Sequence, residues 1–273
     1  MSFGSGFMRK GPGILLLLVM TALLTGACRE VPSTKTVAGR AEDQPPELLF
    51  YVGITMVAPI MDIATVIEQQ EHCKISLTYG GSLHLQHSIR VNQQGDLYFP
   101  GEPEFLEPLL ADGTVVETRS VGFNQGAILV PKGNPKGINN DLTQLRDNRY
   151  AVVVGAEKSG SVGLMTRKVL NKVGIYEAVL QNAVYLTTDS KGLSRALRDG
   201  DADLVLNWRA AAFHKDNQGL VELVELDPAL APREDLMLGL LRYSRHAEIV
   251  RRFMDYAVSP AGQAIFRAHG FLD

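Results

Sequence analysis

The segment Leu77–Val91 contains the most informative residues of the chain, the turn Gly80-Gly81-Ser82. A β-prone run, Ile75–Tyr79, ends at this turn, and an amphipathic helical pattern starts at Ser82. A helix that begins there presents unpaired backbone N–H groups, a hydroxyl and the positive end of the helix dipole at one place. Such a turn can bind an anion without any charged side chain, although a serine that merely caps its own helix has the same sequence.

Three more places combine the end of a strand-like run with hydroxyl or glycine residues. They are Thr55, Ser159-Gly160-Ser161 and Thr188-Asp189-Ser190. In α/β sheets, ligands bind at the carboxyl ends of strands, where the following helices begin. The recurrence of such turns predicts an anion pocket formed by helix starts and hydroxyl groups. Each turn also has a plain structural interpretation, as a helix cap or a loop.

Strand-like and helix-like segments alternate from Leu48 onward, which predicts an α/β fold of mostly parallel sheets with helices on both faces. The length of this part exceeds the commonest size of one domain, so we expect two lobes. The predicted strands are Leu48–Ile54, Ile75–Tyr79, Leu97–Phe99, Ala127–Pro131, Tyr150–Val154, Tyr185–Leu186, Ala202–Asn207 and Leu236–Leu241. The predicted helices cover Ile60–Ile67, Phe105–Leu110, Val162–Val173 and Leu193–Leu197, and further helices start at Ser82, Ala247 and Pro260.

The N-terminus has the pattern of a secretory signal peptide, predicted here over residues 1–27. Arg9 and Lys10 precede the apolar run Ile14–Leu24, which is shorter than the roughly 20 residues of a membrane span. We expect acylation of Cys28, which would anchor the protein to a membrane in the periplasm or at the cell surface. Ordinary cleavage after Ala27, without acylation, fits the same pattern. Residues 28–46 are rich in proline and polar residues and are predicted to be a tether.

The composition excludes several classes of function. The formal net charge is -3 and no basic block is present, so we expect no nucleic-acid partner. With Cys28 at the processing site, Cys73 is left without a disulfide partner and is predicted to be a buried, inert thiol. His84 and His87 have helical spacing, but no third metal ligand lies near them. No catalytic motif is present, so we expect neither catalytic residues, nor a metal, nor a cofactor.

Over Leu48–Asp273 the chain resembles the periplasmic molybdate-binding proteins of ABC importers. The resemblance depends on the order and spacing of several segments, since none of them is decisive alone. These segments are Gly53-Ile54-Thr55-Met56, Gly80-Gly81-Ser82, Gly95–Glu102, Gln125–Asn134, Val154-Gly155, Ser161-Val162-Gly163, Leu197–Asp203, Ser259–Phe266 and Gly270-Phe271.

The resemblance implies a two-lobed periplasmic-binding-protein architecture of type II, in which each lobe is a mostly parallel sheet flanked by helices. Lobe 1 would consist of residues 47–124 and 231–273, and lobe 2 of residues 125–230. The chain would cross between the lobes near Gly122–Gly126 and near Leu226–Arg233.

It also implies a set of ligand contacts. The hydroxyls of Thr55 and Ser82 would hold the oxyanion together with backbone donors near Val162 and Ser190. Trp208 stands where the family has a tyrosine, and Pro100-Gly101 stands where it usually has serine and alanine.

The implied function is the capture of molybdate or tungstate and its delivery, by a monomer, to an ABC permease in the inner membrane. No reaction is required. A second hypothesis is that the ligand is a different oxyanion, or a small carboxylate bound through Arg209 or Lys158. A ligand-sensing module is a third hypothesis, and an enzyme of unknown type is a fourth.

Overall fold

The computed structural model describes residues 44–272, so the predicted signal peptide, Cys28 and most of the predicted tether lie outside the described residues. Residues 44–272 form one compact unit. Its strands are β1 (Glu47–Gly53), β2 (Lys74–Gly80), β3 (Leu97–Phe99), β4 (Val115–Pro131), β5 (Val152–Gly155), β6 (Ala183–Thr187), β7 (Val205–Trp208), β8 (Val221–Glu225) and β9 (Arg233–Leu241). Its α-helices are α1 (Val57–Glu71), α2 (Ser82–Asn92), α3 (Glu107–Ala111), α4 (Ser161–Lys172), α5 (Tyr176–Asn182), α6 (Ser190–Asp199), α7 (Ala247–Val258) and α8 (Pro260–Ala268).

Seven strands form one sheet in the order β2-β1-β3-β9-β4-β7, with β8 also paired to β4, and β5 pairs with β6. The pairs β1–β2, β1–β3 and β5–β6 are parallel, as the alternation of strands and helices predicts. All pairs that involve β4 or β9 are antiparallel, so the large sheet is mixed. The chain leaves the set of strands β1–β3 through β4 and returns to it through β9, so these two strands run in opposite directions.

Strand β4 has different partners along its length. Its residues from Val115 to Gln125 pair with β9, and the residues from Gly126 onward pair with β7 and β8. One strand therefore belongs to both halves of the molecule, and its partner changes between Gln125 and Gly126. The predicted lobe boundaries remain predictions, although this change lies where the sequence predicts the first crossing.

The core is divided in the same way. Alternate residues of β1 enter two clusters on opposite faces of the sheet, as the two-residue period of a strand requires. Phe50 packs edge-on against Phe253 of α7 at a ring-centroid distance of 4.9 Å, whereas Tyr51 packs on the opposite face with α2. A third cluster lies in the second half of the molecule and contains Ile128, Val153, Val169, Leu193 and Leu206.

Most elements lie close to their predicted positions. The sequence does not predict the first part of β4, the short helix α5 or strand β8, because none of them has a long apolar run. Cys73 is buried, as predicted. The helices of residues 44–272 all lack the length and apolar character that a membrane span requires.

Candidate functional site

Four strand-to-helix turns meet around one small cavity, which we call the central cavity. It is lined by residues 53–56, 80–81, 160–162 and 188–190, together with Trp208. Its volume of about 10 Å³ is enough for roughly one water molecule. The sequence predicts each of these turns separately, and the fold brings all four to one place.

Thr55 lies in the turn of 3₁₀-helix, Ile54–Met56, that joins β1 to α1. This turn runs directly into α1 and has no side-chain cap, so the N–H groups at its start have no acceptor within the helix. Thr55 lines the central cavity, and its hydroxyl has no hydrogen-bond partner among residues 44–272. Both features leave polar hydrogen atoms at the cavity available for a ligand.

Ser82 borders the central cavity without lining it. Its side chain is 1% exposed, and its Oγ accepts a hydrogen bond from the backbone N–H of Gly101 at 3.0 Å. The Tyr98 hydroxyl donates to the Ser82 carbonyl at 2.8 Å. Helix α2 has no side-chain cap, because its N-cap residue is Gly81, and the Ser82 hydroxyl faces Gly101. Residues Gly80 and Gly81 of this turn do line the cavity.

Val162 and Trp208 line the cavity from the second half of the molecule. Helix α4 starts at Ser161 without a side-chain cap, so Val162 lies in a first turn whose N–H groups are unpaired. Trp208, at the end of β7, is 1% exposed and donates its indole N–H to the Ser161 Oγ at 3.4 Å. The indole therefore fixes the position of a hydroxyl that itself lines the cavity.

The hydroxyl of Ser190 is not available to a ligand as a donor. It donates to the Oδ1 of Asn207 at 2.7 Å, and the Asn207 amide donates back to the Ser190 carbonyl at 3.0 Å. Asn207 is fully buried and thereby fixes the start of α6. The Asp189 carboxylate accepts the Gly192 N–H as the cap of this helix, so it is held against its own helix. What Ser190 offers to the cavity is its backbone N–H.

Backbone atoms of the two halves lie close together beside the cavity. A Cβ added at Gly81 would lie 2.5 Å from the Ser159 carbonyl oxygen, and one added at Gly160 would lie 2.8 Å from the Ser82 nitrogen. Only glycine allows such an approach of backbone to backbone.

No lysine, arginine or histidine of the described residues lines the central cavity. Arg209 instead pairs with Glu225, with 2.8 Å between Nε and Oε1, and also donates to the Gly270 carbonyl. Lys158 borders an open surface groove beside His84 and His87. Both histidines are outside the central cavity, and residues 44–272 contain no group of three side chains that could hold a metal.

A cluster of charges connects the two halves outside the cavity. Lys168 of α4 contacts Glu102 and Glu104, which follow β3, and its Nζ lies 3.9 Å from Oε1 of Glu234 on β9. Glu102 is 1% exposed, and its Oε1 has no hydrogen-bond partner in the described part of the chain. Burial, reinforced by the charges of Glu104 and Glu234 and opposed by Lys168, raises the pKa of Glu102 to about 8.

Glu234 is itself partly buried, and this burial raises the pKa of its carboxylate. Burial also works against the charge of Lys168, but a hydrogen bond to Glu104 and the surrounding carboxylates outweigh it and raise the pKa of the lysine. At neutral pH the cluster therefore holds a charged lysine and a protonated Glu102.

Three features of the site do not follow from the sequence. The Ser161 turn is predicted, but not that the Ser161 hydroxyl lines the cavity. Asn207 has no predicted role beyond the end of a strand, and the Lys168 cluster has no local sequence pattern. A buried asparagine at the end of an apolar strand is the one available signal, because a buried amide needs partners.

Residues 48–272 match the family model described as bacterial extracellular solute-binding protein. A Haemophilus influenzae protein that is named as a binding protein is 24% identical over 229 residues, covering 84% of this chain and 92% of that protein. YvgL of Bacillus subtilis, named as an ABC transporter substrate-binding lipoprotein, is 22% identical over 210 residues, covering 75% and 77%.

Solved structures show the same fold. The periplasmic molybdate-binding protein of Azotobacter vinelandii superposes with a TM-score of 0.69 at 13% identity, covering 83% of this chain and 99% of that one. A periplasmic thiamin-binding protein superposes with a TM-score of 0.71 at 15% identity, covering 86% and 85%. The two-lobed α/β architecture is thus shared by proteins with very different ligands. Proteins of this kind bind a solute for an ABC transporter and catalyse no reaction. This chain belongs to the family of bacterial extracellular solute-binding proteins.

Proposed function

We propose that this protein captures molybdate or tungstate outside the cytoplasm and delivers it to the permease of an ABC importer. The observation that supports this most directly is the meeting of four helix starts at a small cavity that has no cationic lining residue among the described part of the chain. Helix dipoles and backbone N–H groups stabilise a dianion there, and several N–H groups can reach different oxygens of one small ion.

The proposed contacts come from both halves of the chain. Thr55 contributes its free hydroxyl, and the uncapped turn Ile54–Met56 contributes the amides at its start, while Ser82 supports the second turn from the same half. The amides near Val162 and Ser190, and the Trp208 indole through Ser161, contribute from the opposite half. Each hydrogen bond to a charged oxygen is worth about 1.5–3 kcal/mol net, so a few of them suffice for tight binding.

A ligand held by both halves favours the closed state and thus shifts a hinge equilibrium. The halves would be lobe 1 (residues 47–124 and 231–273) and lobe 2 (residues 125–230), with β4 and β9 as the connecting strands. The closed monomer would then dock on the permease and release the ion there.

The protein would work in the periplasm or at the cell surface, anchored through a lipid on Cys28. Metabolic labelling with a radioactive fatty acid tests this directly. Label should enter the natural protein and not the Cys28→Ser variant. An unlabelled natural protein that begins at Cys28 would support simple cleavage after Ala27.

Titration calorimetry with molybdate, tungstate, sulfate and phosphate tests the ligand. We expect saturable heat with molybdate and tungstate, and a higher melting temperature in their presence, because a ligand that binds only the native state stabilises it. Sulfate is the second candidate, since uncharged helix starts suit any tetrahedral dianion. Heat with sulfate alone would replace the molybdate assignment, and no heat with any of the four would overturn the oxyanion proposal.

A further inference from the structure

A second cavity adjoins the central cavity and has a different chemical character. Its volume is about 30 Å³, room for about two water molecules or one carboxylate group. It shares Ile54, Thr55 and Ser190 with the central cavity, so the two cavities adjoin at these residues. We call it the lateral cavity.

Cations line the lateral cavity, in contrast to the central one. Lys191 and Arg198 of α6 both border it, and no carboxylate of residues 44–272 lies within ion-pair distance of either side chain. Arg198 donates to Oδ1 of Asn217, and the Asn217 amide donates to the Ala211 carbonyl at 2.7 Å. Asn217 is buried. The guanidinium is therefore held in place by a neutral partner that leaves its charge uncompensated.

The remaining ionisable groups at this cavity do not cancel that charge. His214 borders it with Asp216, whose backbone N–H donates to the imidazole Nδ1 at 3.3 Å. Burial lowers the pKa of His214, Asp216 opposes this, and Lys191, Lys215 and Arg198 lower it further. The imidazole is thus neutral at pH 7, and one carboxylate faces two cations that line the cavity. The lateral cavity has a positive balance suited to an anionic group.

We infer that the lateral cavity is a carboxylate subsite, so that the cleft also accepts a small phosphorylated carboxylic acid. The tetrahedral phosphate would bind among the helix starts of the central cavity, which would widen through the proposed hinge motion to admit it. The carboxylate would accept hydrogen bonds from Arg198 and Lys191. A guanidinium donates two parallel hydrogen bonds to a carboxylate, which makes Arg198 the residue that selects this ligand. The inference rests on the proposed function only in using the central cavity for a tetrahedral anion.

Calorimetry with phosphoglycolate, a two-carbon member of this class, and with molybdate tests the inference on the natural protein, Arg198→Gln and Arg195→Gln. Arg195 is an exposed arginine of the same helix and serves as the matched control. We expect Arg198→Gln to weaken phosphoglycolate binding at least tenfold and to leave molybdate binding within twofold. Arg195→Gln should change neither.

Phosphoglycolate binding without molybdate binding would overturn the molybdate assignment and support the subsite. Molybdate binding without phosphoglycolate binding would overturn the subsite alone. If Arg198→Gln lowers the melting temperature but weakens neither ligand, Arg198 only holds Asn217 in place and the inference is wrong. Equal weakening of both ligands would also overturn it.

Discussion

The Lys168 Nζ donates a hydrogen bond to the Glu102 Oε2 at 3.3 Å, and this contact joins helix α4 to the segment that follows β3. Glu104 and Glu234 contact the same ammonium group, so three carboxylates meet one lysine between the halves of the molecule. A single cation cannot satisfy three buried or half-buried carboxylates. A proton on Glu102 relieves the excess of negative charge.

The first prediction concerns the pH dependence of stability. Between about pH 4.5 and pH 8, Glu102 is protonated in the native state and ionised in the unfolded chain. The native state binds more protons there, so the free energy of unfolding contributed by Glu102 falls as the pH rises. The slope is at most about 1.4 kcal/mol per pH unit. Glu102→Gln removes this titration, and urea unfolding at pH 5, 6, 7 and 8 should give a flatter profile.

Glu107→Gln is the matched control, because Glu107 is an exposed residue of the nearby helix α3. This variant should keep the slope of the natural protein. An identical slope in the natural protein and in Glu102→Gln would show that Glu102 does not carry the native proton.

The second prediction is that Gly160→Ala prevents full closure. The added methyl group would lie 2.8 Å from the Ser82 nitrogen, and backbone on both sides cannot move aside cheaply. We expect molybdate affinity to fall at least tenfold, which corresponds to about 1.4 kcal/mol. X-ray scattering should show contraction on adding molybdate to the natural protein and a weaker contraction in the variant.

Gly80→Ala is the comparison for closure, because its methyl group would meet no atom within 4 Å. That variant should contract as the natural protein does. Full contraction of Gly160→Ala with unchanged affinity would disprove the steric argument.

The third prediction concerns Ser82. Ser82→Ala removes the acceptor of the Gly101 N–H and should weaken molybdate binding by about 1–3 kcal/mol while the fold is kept. Because a buried N–H then lacks an acceptor, the melting temperature should also fall by a few degrees. Calorimetry and thermal unfolding measure the two effects.

Thr55→Val provides the contrast, since the Thr55 hydroxyl has no partner among residues 44–272 and valine has nearly the same shape. This variant should lose affinity at an unchanged melting temperature. Unchanged affinity in Ser82→Ala would remove Ser82 from the binding site.

The fourth prediction is a large loss of stability in Asn207→Ala. Asn207 is fully buried. Its Oδ1 accepts hydrogen bonds from the Ser190 hydroxyl and, at 2.8 Å, from the backbone N–H of Trp208. Its removal leaves buried polar groups unpaired, so we expect a loss of about 2–4 kcal/mol in the free energy of unfolding. Urea unfolding measures it. Asn140→Ala, at an exposed position, should change stability by less than about 0.5 kcal/mol.

Much of the fold is predictable because its signals are local. The turn at Gly80-Gly81-Ser82 and the apolar run before it define the end of β2 and the start of α2 without knowledge of the rest of the chain. The same holds for Ser190 at the start of α6. That these turns line one cavity follows from the general position of ligands in α/β sheets.

The rest depends on contacts between distant residues. The first part of β4 is half-buried and polar, and only its pairing with β9, more than 100 residues later, makes it a strand. Glu102 and Lys168 are 66 residues apart, and no spacing rule connects them. Arg198 resembles an ordinary surface arginine near a helix end until the fold brings it to a cavity. The local sequence carries no information on such contacts between residues that are far apart in the chain.

The sharing of β4 between both sets of strands has a mechanical consequence. Unfolding of either half would remove hydrogen-bond partners from β4, and the other half also needs β4 for its own pairing. A fragment that ends within Val115–Pro131 would expose an unpaired edge of the sheet, which invites aggregation. We therefore expect neither half to survive as an autonomous folding unit, and heating to produce one cooperative transition.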